Sequence, residues 1–159
     1  KHEKYESWDS LIKNLGQLLS DFMFVYSCHS ENFGNDAYYV TRFYKESPRG
    51  KSFNPNYAVD LEAYNEHVRL ISDLIFEMAR LCNLLLTRIR KIHPEYRQEL
   101  GILHIGSQMS DHDLVYRSEE ISDKPYPGID AYISERLTRE KHFGHSGTIN
   151  IDGYEHNNN

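Results

Sequence analysis

Between Val68 and His93 the apolar residues fall at Val68, Ile71, Ile75, Met78, Cys82, Leu85, Ile89 and Ile92, in alternating steps of three and four. Those steps keep side chains on one side of an α-helix, so the run predicts a helix of about seven turns. Leu70, Leu74, Leu81 and Leu84 widen the stripe, and the helix is expected to be buried on more than one side. Asp60 is the expected N-cap. Pro94, which has no amide hydrogen to donate, is the expected stop.

A second seam precedes it. Trp8, Ile12, Leu15, Leu19, Phe22 and Tyr26 follow the same rhythm, with Leu11, Leu18 and Met23 broadening the face. Gly16 interrupts this seam at a cost of ~1 kcal/mol in helix propensity, and it would permit a close helix crossing. The two seams together predict a mainly α fold. The expected form is a helical bundle built on two long heptad-patterned helices, packed most simply antiparallel. Residues 1–159 are expected to form one domain, with a helical core over about 3–93.

The connection from His29 to Val59 is too long for a plain turn. It should hold a short helix or strand at AYYVTRFY, then turns at Ser47-Pro48-Arg49-Gly50 and Asn54-Pro55-Asn56. Beyond Pro94 the rhythm changes to short strands at ILHI and DLVY, joined as a β-hairpin by GSQMSDH. A helix over Asp130–Lys141 and a strand over Thr148–Ile151 complete a smaller α+β appendage, over about 101–156.

Composition narrows the function classes. Formal charge is −6, and from Gly101 onward 10 acidic residues face 5 basic ones, which accounts for −5 of it. An acidic chain is poorly suited to extensive nonspecific binding of duplex nucleic acid, though a local basic site remains compatible with it. The two cysteines, Cys28 and Cys82, lie in apolar helical pattern and are expected to be buried free thiols. No apolar run reaches the ~18 residues of a membrane span, and no signal peptide is visible, so a cytoplasmic location is expected. The chain begins at Lys1 and ends in three asparagines, so a fragment is expected, and the parent is taken to be a larger protein of bacterial type.

Three groups of residues carry candidate chemistry. The first is the basic end of the long helix: Arg88, Arg90, Lys91, His93 and Arg97. Cations there complement the negative end of the helix dipole. The Arg88-x4-His93 spacing also resembles the R-x4-6-H pattern of the HEPN family, helical domains that often cleave RNA across a dimer interface. That resemblance implies metal-independent endoribonuclease action by a dimer, with Arg88 steadying phosphate and His93 moving a proton. Five helical residues leave the two side chains about 140° apart, so they converge only if the helix ends before His93. Arg97/His104, Arg136/His142 and Arg139/His145 also fit the R-x4-6-H pattern, so it does not single out one pair.

The second group is the loop from Tyr38 to Tyr57. It interleaves Arg42, Lys45, Arg49 and Lys51 with Tyr38, Tyr39, Phe43, Tyr44, Phe53 and Tyr57. Rings beside cations suit single-stranded nucleic acid or a nucleotide, with Arg42, Tyr44, Arg49 and Lys51 the expected contacts. The plainer expectation is that the rings pin the loop onto the helices.

The third group is His104, Asp111, His112, Asp113, His142, His145, Asp152 and His156. Their spacings match no recognised metal motif, so no metal and no cofactor is expected. Sequence patterns of dinucleotide, P-loop and α/β-hydrolase sites are absent as well. The leading expectation is a helical protein-interaction or oligomerisation domain, with itself or another protein as partner. RNA is the alternative partner, and no membrane is expected.

Overall fold

A computed structural model of the chain describes residues 7–34, 37–48, 52–97, 104–105, 114–115 and 123–139. The protein is mainly helical. Helix α1 spans Trp8–Cys28 and α2 spans Tyr57–Ile92. Between them Ser30–Gly34 (β1) and Ala37–Val40 (β2) pair antiparallel, with a register shift between Asn32 and Gly34. A 3-10 turn at Phe43–Lys45 leads towards α2, and another at Pro94–Arg97 follows it. His104–Ile105 (β3) and Leu114–Val115 (β4) form a second antiparallel pair, and α3 spans Ile129–Glu135, running into a 3-10 turn at Arg136–Thr138.

Local chemistry sets the ends of these elements. Ser7 and Ser10 each bond the other's backbone amide, a reciprocal cap that satisfies two otherwise unpaired donors at the start of α1. Helix α2 begins three residues after Asn54, whose carbonyl accepts from the Tyr57 amide to close the preceding turn. Asn56, not Asp60, holds the N-cap position, while the Asp60 carboxylate accepts from the Asn54 amide at 2.7 Å. Pro94 does what its chemistry requires: α2 stops at Ile92, and His93 closes it with an N–H bond to the Ile89 carbonyl.

The two long helices pack against each other and run in opposite directions. His29, just past the end of α1, lies against His67 early in α2. Asn14, near the start of α1, instead grips the backbone of Tyr126, whose neighbour Lys124 accepts from Arg80 further along α2. The core consists of Leu11, Leu18 and Val25 from α1, Ile71, Leu74, Leu81 and Leu84 from α2, and Tyr126 and Tyr132 from the C-terminal segment.

This core is rotated from the face expected on both helices. On α1 the fully buried line is Leu11–Leu18–Val25, and Ile12 and Leu19 of the expected seam are exposed. On α2 the leading residues are Leu74 and Leu81, while Ile75, Met78 and Leu85 are half-buried. A wide stripe on a helix has no unique centre, and the partner chooses the line it covers. Cys28 is exposed and Cys82 half-buried, where burial raises the pKa of the Cys82 thiol. The segments GSQMSDH and Thr148–Ile151, and the side chains of the C-terminal histidine group, lie outside the described residues.

Candidate functional site

Four features carry the polar and surface chemistry. The outward side of α1 is apolar where water would favour polar residues. Ile12 is 55% exposed, Leu19 47%, Met23 60% and Phe24 65%. Ile12, Leu19 and Met23 share one line along the helix, with Gly16 among them. A Cβ built on Gly16 would meet nothing within 4 Å, so the close approach expected at this glycine is not with α2. Leu15, Phe22 and Tyr26, half-buried, continue this surface to the core boundary. Asp9 and Lys13 neutralise each other at its edge, 2.7 Å apart.

At the basic end of α2, Arg88 is half-buried on the helix and His93 is exposed where the chain leaves it. The His93 ring nitrogen Nδ1 stands 3.0 Å from the Glu95 carboxylate. Glu95's own backbone amide, and then the His93 ring, hold that carboxyl below its usual pKa. The condition for Arg88 and His93 to converge, a helix that ends before His93, is met.

In the Tyr38–Tyr57 loop, Arg42 is exposed ahead of the 3-10 turn and Tyr44 is half-buried in it. Arg49 and Lys51 lie outside the described residues. Tyr44 packs on Tyr57 and Tyr64 of α2 with ring centroids 5.5 and 5.0 Å away, and Phe43 packs on Tyr64 and His29. These contacts account for Tyr44 and Phe43 as anchors of the loop. Burial, and then the charge of His29, lower the pKa of His67 beneath them. Tyr38, Phe53 and Tyr57 keep exposed rings.

The fourth feature is a buried ionic cluster. Asp73, Glu77, Arg80 and Asn83 on α2 are all buried, although their residue types favour water. Arg136 donates from Nη1 to Asp73 at 2.6 Å and from Nη2 to Glu66. Arg80 bonds Glu77 from Nε at 3.0 Å and also from Nη2, and reaches the Lys124 carbonyl at 2.8 Å. Arg139 approaches Glu77 at 3.6 Å and Glu135 at 3.3 Å, and lies over the Tyr132 ring. The Tyr132 hydroxyl donates to the Asp73 carbonyl. Asp73, Glu77 and Arg80 are spaced four and three apart, the same helical rhythm as the apolar seam. That periodicity was the available signal for a buried polar line.

No family model matches this chain, nor does any curated protein or solved structure. Its chemistry rests on the geometry above. Each buried carboxylate of the ionic cluster has an arginine within reach, which suits a cluster that fixes α3 on α2. Among the described residues no group of three or more His, Cys, Asp or Glu could hold a metal, and no helix is long and apolar enough to cross a membrane. The outward face of α1 differs from the other three features: among the described residues, Ile12, Leu19 and Met23 are largely exposed and stand outside the core cluster.

Proposed function

We propose that this protein is a helical interaction module whose working surface is the outward face of α1. The observation that carries the reading is the exposed line of Ile12, Leu19 and Met23 on a helix whose opposite side already supplies the core. A contiguous apolar patch of a few hundred Å² on a folded domain generally marks a binding surface. The test is a photo-crosslinking amino acid at Leu19 of the full chain in its native cells, with one at exposed Glu62 on α2 as comparison. The reading expects discrete protein adducts from Leu19. If Leu19 gives no adduct, this face has no partner and the reading fails.

A second reading has its own observation. His93 leaves α2 at its last turn with Glu95 against its ring, an arrangement able to orient an imidazole for proton transfer, and Arg88 stands five residues earlier on the helix as the candidate anion clamp. It supports a metal-independent endoribonuclease acting as a dimer. Wild-type protein would then cleave single-stranded RNA without added metal, and folded Arg88→Ala and His93→Ala variants would each lose about 10²–10⁴-fold in rate. Retained cleavage in either folded variant excludes the pair.

A further inference from the structure

Gly16 sits in the middle of a 21-residue helix, exposed, with open space where a Cβ would stand. A glycine there costs ~1 kcal/mol relative to alanine, and no contact within the described chain offsets that cost. A gap in an apolar line is what a helix from outside needs for close approach. The line also has a two-fold symmetry of its own. Ile12, Gly16, Leu19 and Met23 are spaced four, three and four, a sequence of steps that reads the same from either end. Paired antiparallel with an identical helix about the midpoint of Gln17 and Leu18, Ile12 meets Met23 and Leu19 meets Gly16, twice over.

We infer that the outward face of α1 is the contact between two copies of this chain, paired antiparallel with Leu19 of each copy seated over Gly16 of the other. The inference rests on the reading of α1 as an interaction surface and names its occupant. Charge fits the pairing. In that register Asp9 falls opposite Tyr26 and Lys13 opposite Phe22, so no like charges face each other, and the two helix dipoles oppose. Area fits as well. The exposed parts of Ile12, Leu19 and Met23, with the margins of Leu15, Phe22 and Tyr26, amount to roughly 400 Å² per copy, and the pair reaches about 800 Å², the size of a weak, transient interface. An isologous contact of this kind closes at two copies. The expected product is a dimer of modest affinity, present at tens of micromolar and dissociating on dilution.

Sedimentation equilibrium over a dilution series of the full chain tests this, with Gly16→Leu and Leu19→Asp alongside. Wild type is expected to approach twice the 18.7 kDa chain mass at the highest concentrations. Gly16→Leu fills the gap and should weaken association about tenfold or more. The same change should not lower the thermal midpoint of the dilute monomer, because leucine is a better helix former than glycine. A glycine with a merely local role would show the stability effect without the mass effect. Leu19→Asp should be monomeric throughout with unchanged helical circular dichroism. A wild type that stays monomeric at every concentration, or a dimer indifferent to both substitutions, overturns the inference. The Leu19 crosslink separates the two levels: adducts only with a different protein overturn the homodimer and leave the interaction module standing, whereas no adduct removes both.

Discussion

Asp73 and Arg136 are 63 positions apart in sequence and 2.6 Å apart in space, each almost wholly buried. Taking either charge out of water costs several kcal/mol, so each needs the other, and Glu66 is a second, more exposed partner of Arg136. Asp73→Ala should therefore cost about 3–5 kcal/mol, since Arg136 loses a counter-charge that lies in the interior. Replacing both, as Asp73→Leu with Arg136→Met, should cost far less than the sum of the single changes and can be neutral. Denaturant titration of the four proteins completes the cycle, and a coupling energy near zero would show that the pair does not act as a unit. The backbone carbonyl of Asp73, which accepts from Tyr132, is untouched by all these variants. None of this was legible in the sequence at the level of single residues. Asp73, Glu77 and Arg80 share the rhythm of the apolar seam, but that rhythm fits a solvated face equally well, and it takes their contacts with the C-terminal segment to distinguish the two. His93 is the opposite case: Pro94 marks the residue where the helix must end, and the structure places His93 there.

At the scale of elements, the sequence predicted existence and type better than orientation. The spacing of apolar residues required helices over both seams, and α1 and α2 cover them. Spacing does not determine which line of a wide stripe faces the partner. Leu11, Leu18 and Val25 prevailed over Ile12, Leu19 and Met23 because the core closes on Leu74, Leu81 and the two tyrosines. The rotation is what leaves an apolar face unpartnered. Gly16 shows the same limit. Its helical cost was visible in sequence, but the side on which a neighbour could approach depends on the core. The short β1–β2 hairpin is held by details too local for periodicity to report. Gly34 takes a positive φ of 88°, the Tyr26 hydroxyl donates to the Tyr38 carbonyl, and Thr41 bonds back to the His29 carbonyl. Gly128, also at positive φ, lets the start of α3 approach α1, where a Cβ would stand 3.0 Å from the Gln17 amide.

For the whole molecule, the decisive fact is that the core of α1 and α2 is completed from residues 123–139. Tyr126 is buried against α1, its backbone clasped in both directions by the Asn14 amide and its hydroxyl donated to Asp21, and burial above all raises the pKa of that phenol. Tyr132 lies 5.2 Å from it, centroid to centroid, and anchors α3 over Asp73. A segment that merely decorated a two-helix hairpin could lose both rings and leave the hairpin's unfolding unchanged. A segment that completes the core could not. Truncating one buried aromatic side chain typically costs about 3–5 kcal/mol, against a total stability of about 5–15 kcal/mol for a domain. The two rings touch, so their losses will not add exactly, but together they should remove most of the stability. The double variant Tyr126→Ala/Tyr132→Ala of the full chain is therefore expected to lose its cooperative thermal transition by circular dichroism. Amide exchange at Leu18 and Leu74, on the two helices, should become fast together, because both face the same lost surface. A double variant with a sharp transition near the wild-type midpoint, and with slow exchange at those two leucines, would mean that α1 and α2 stand without the C-terminal segment.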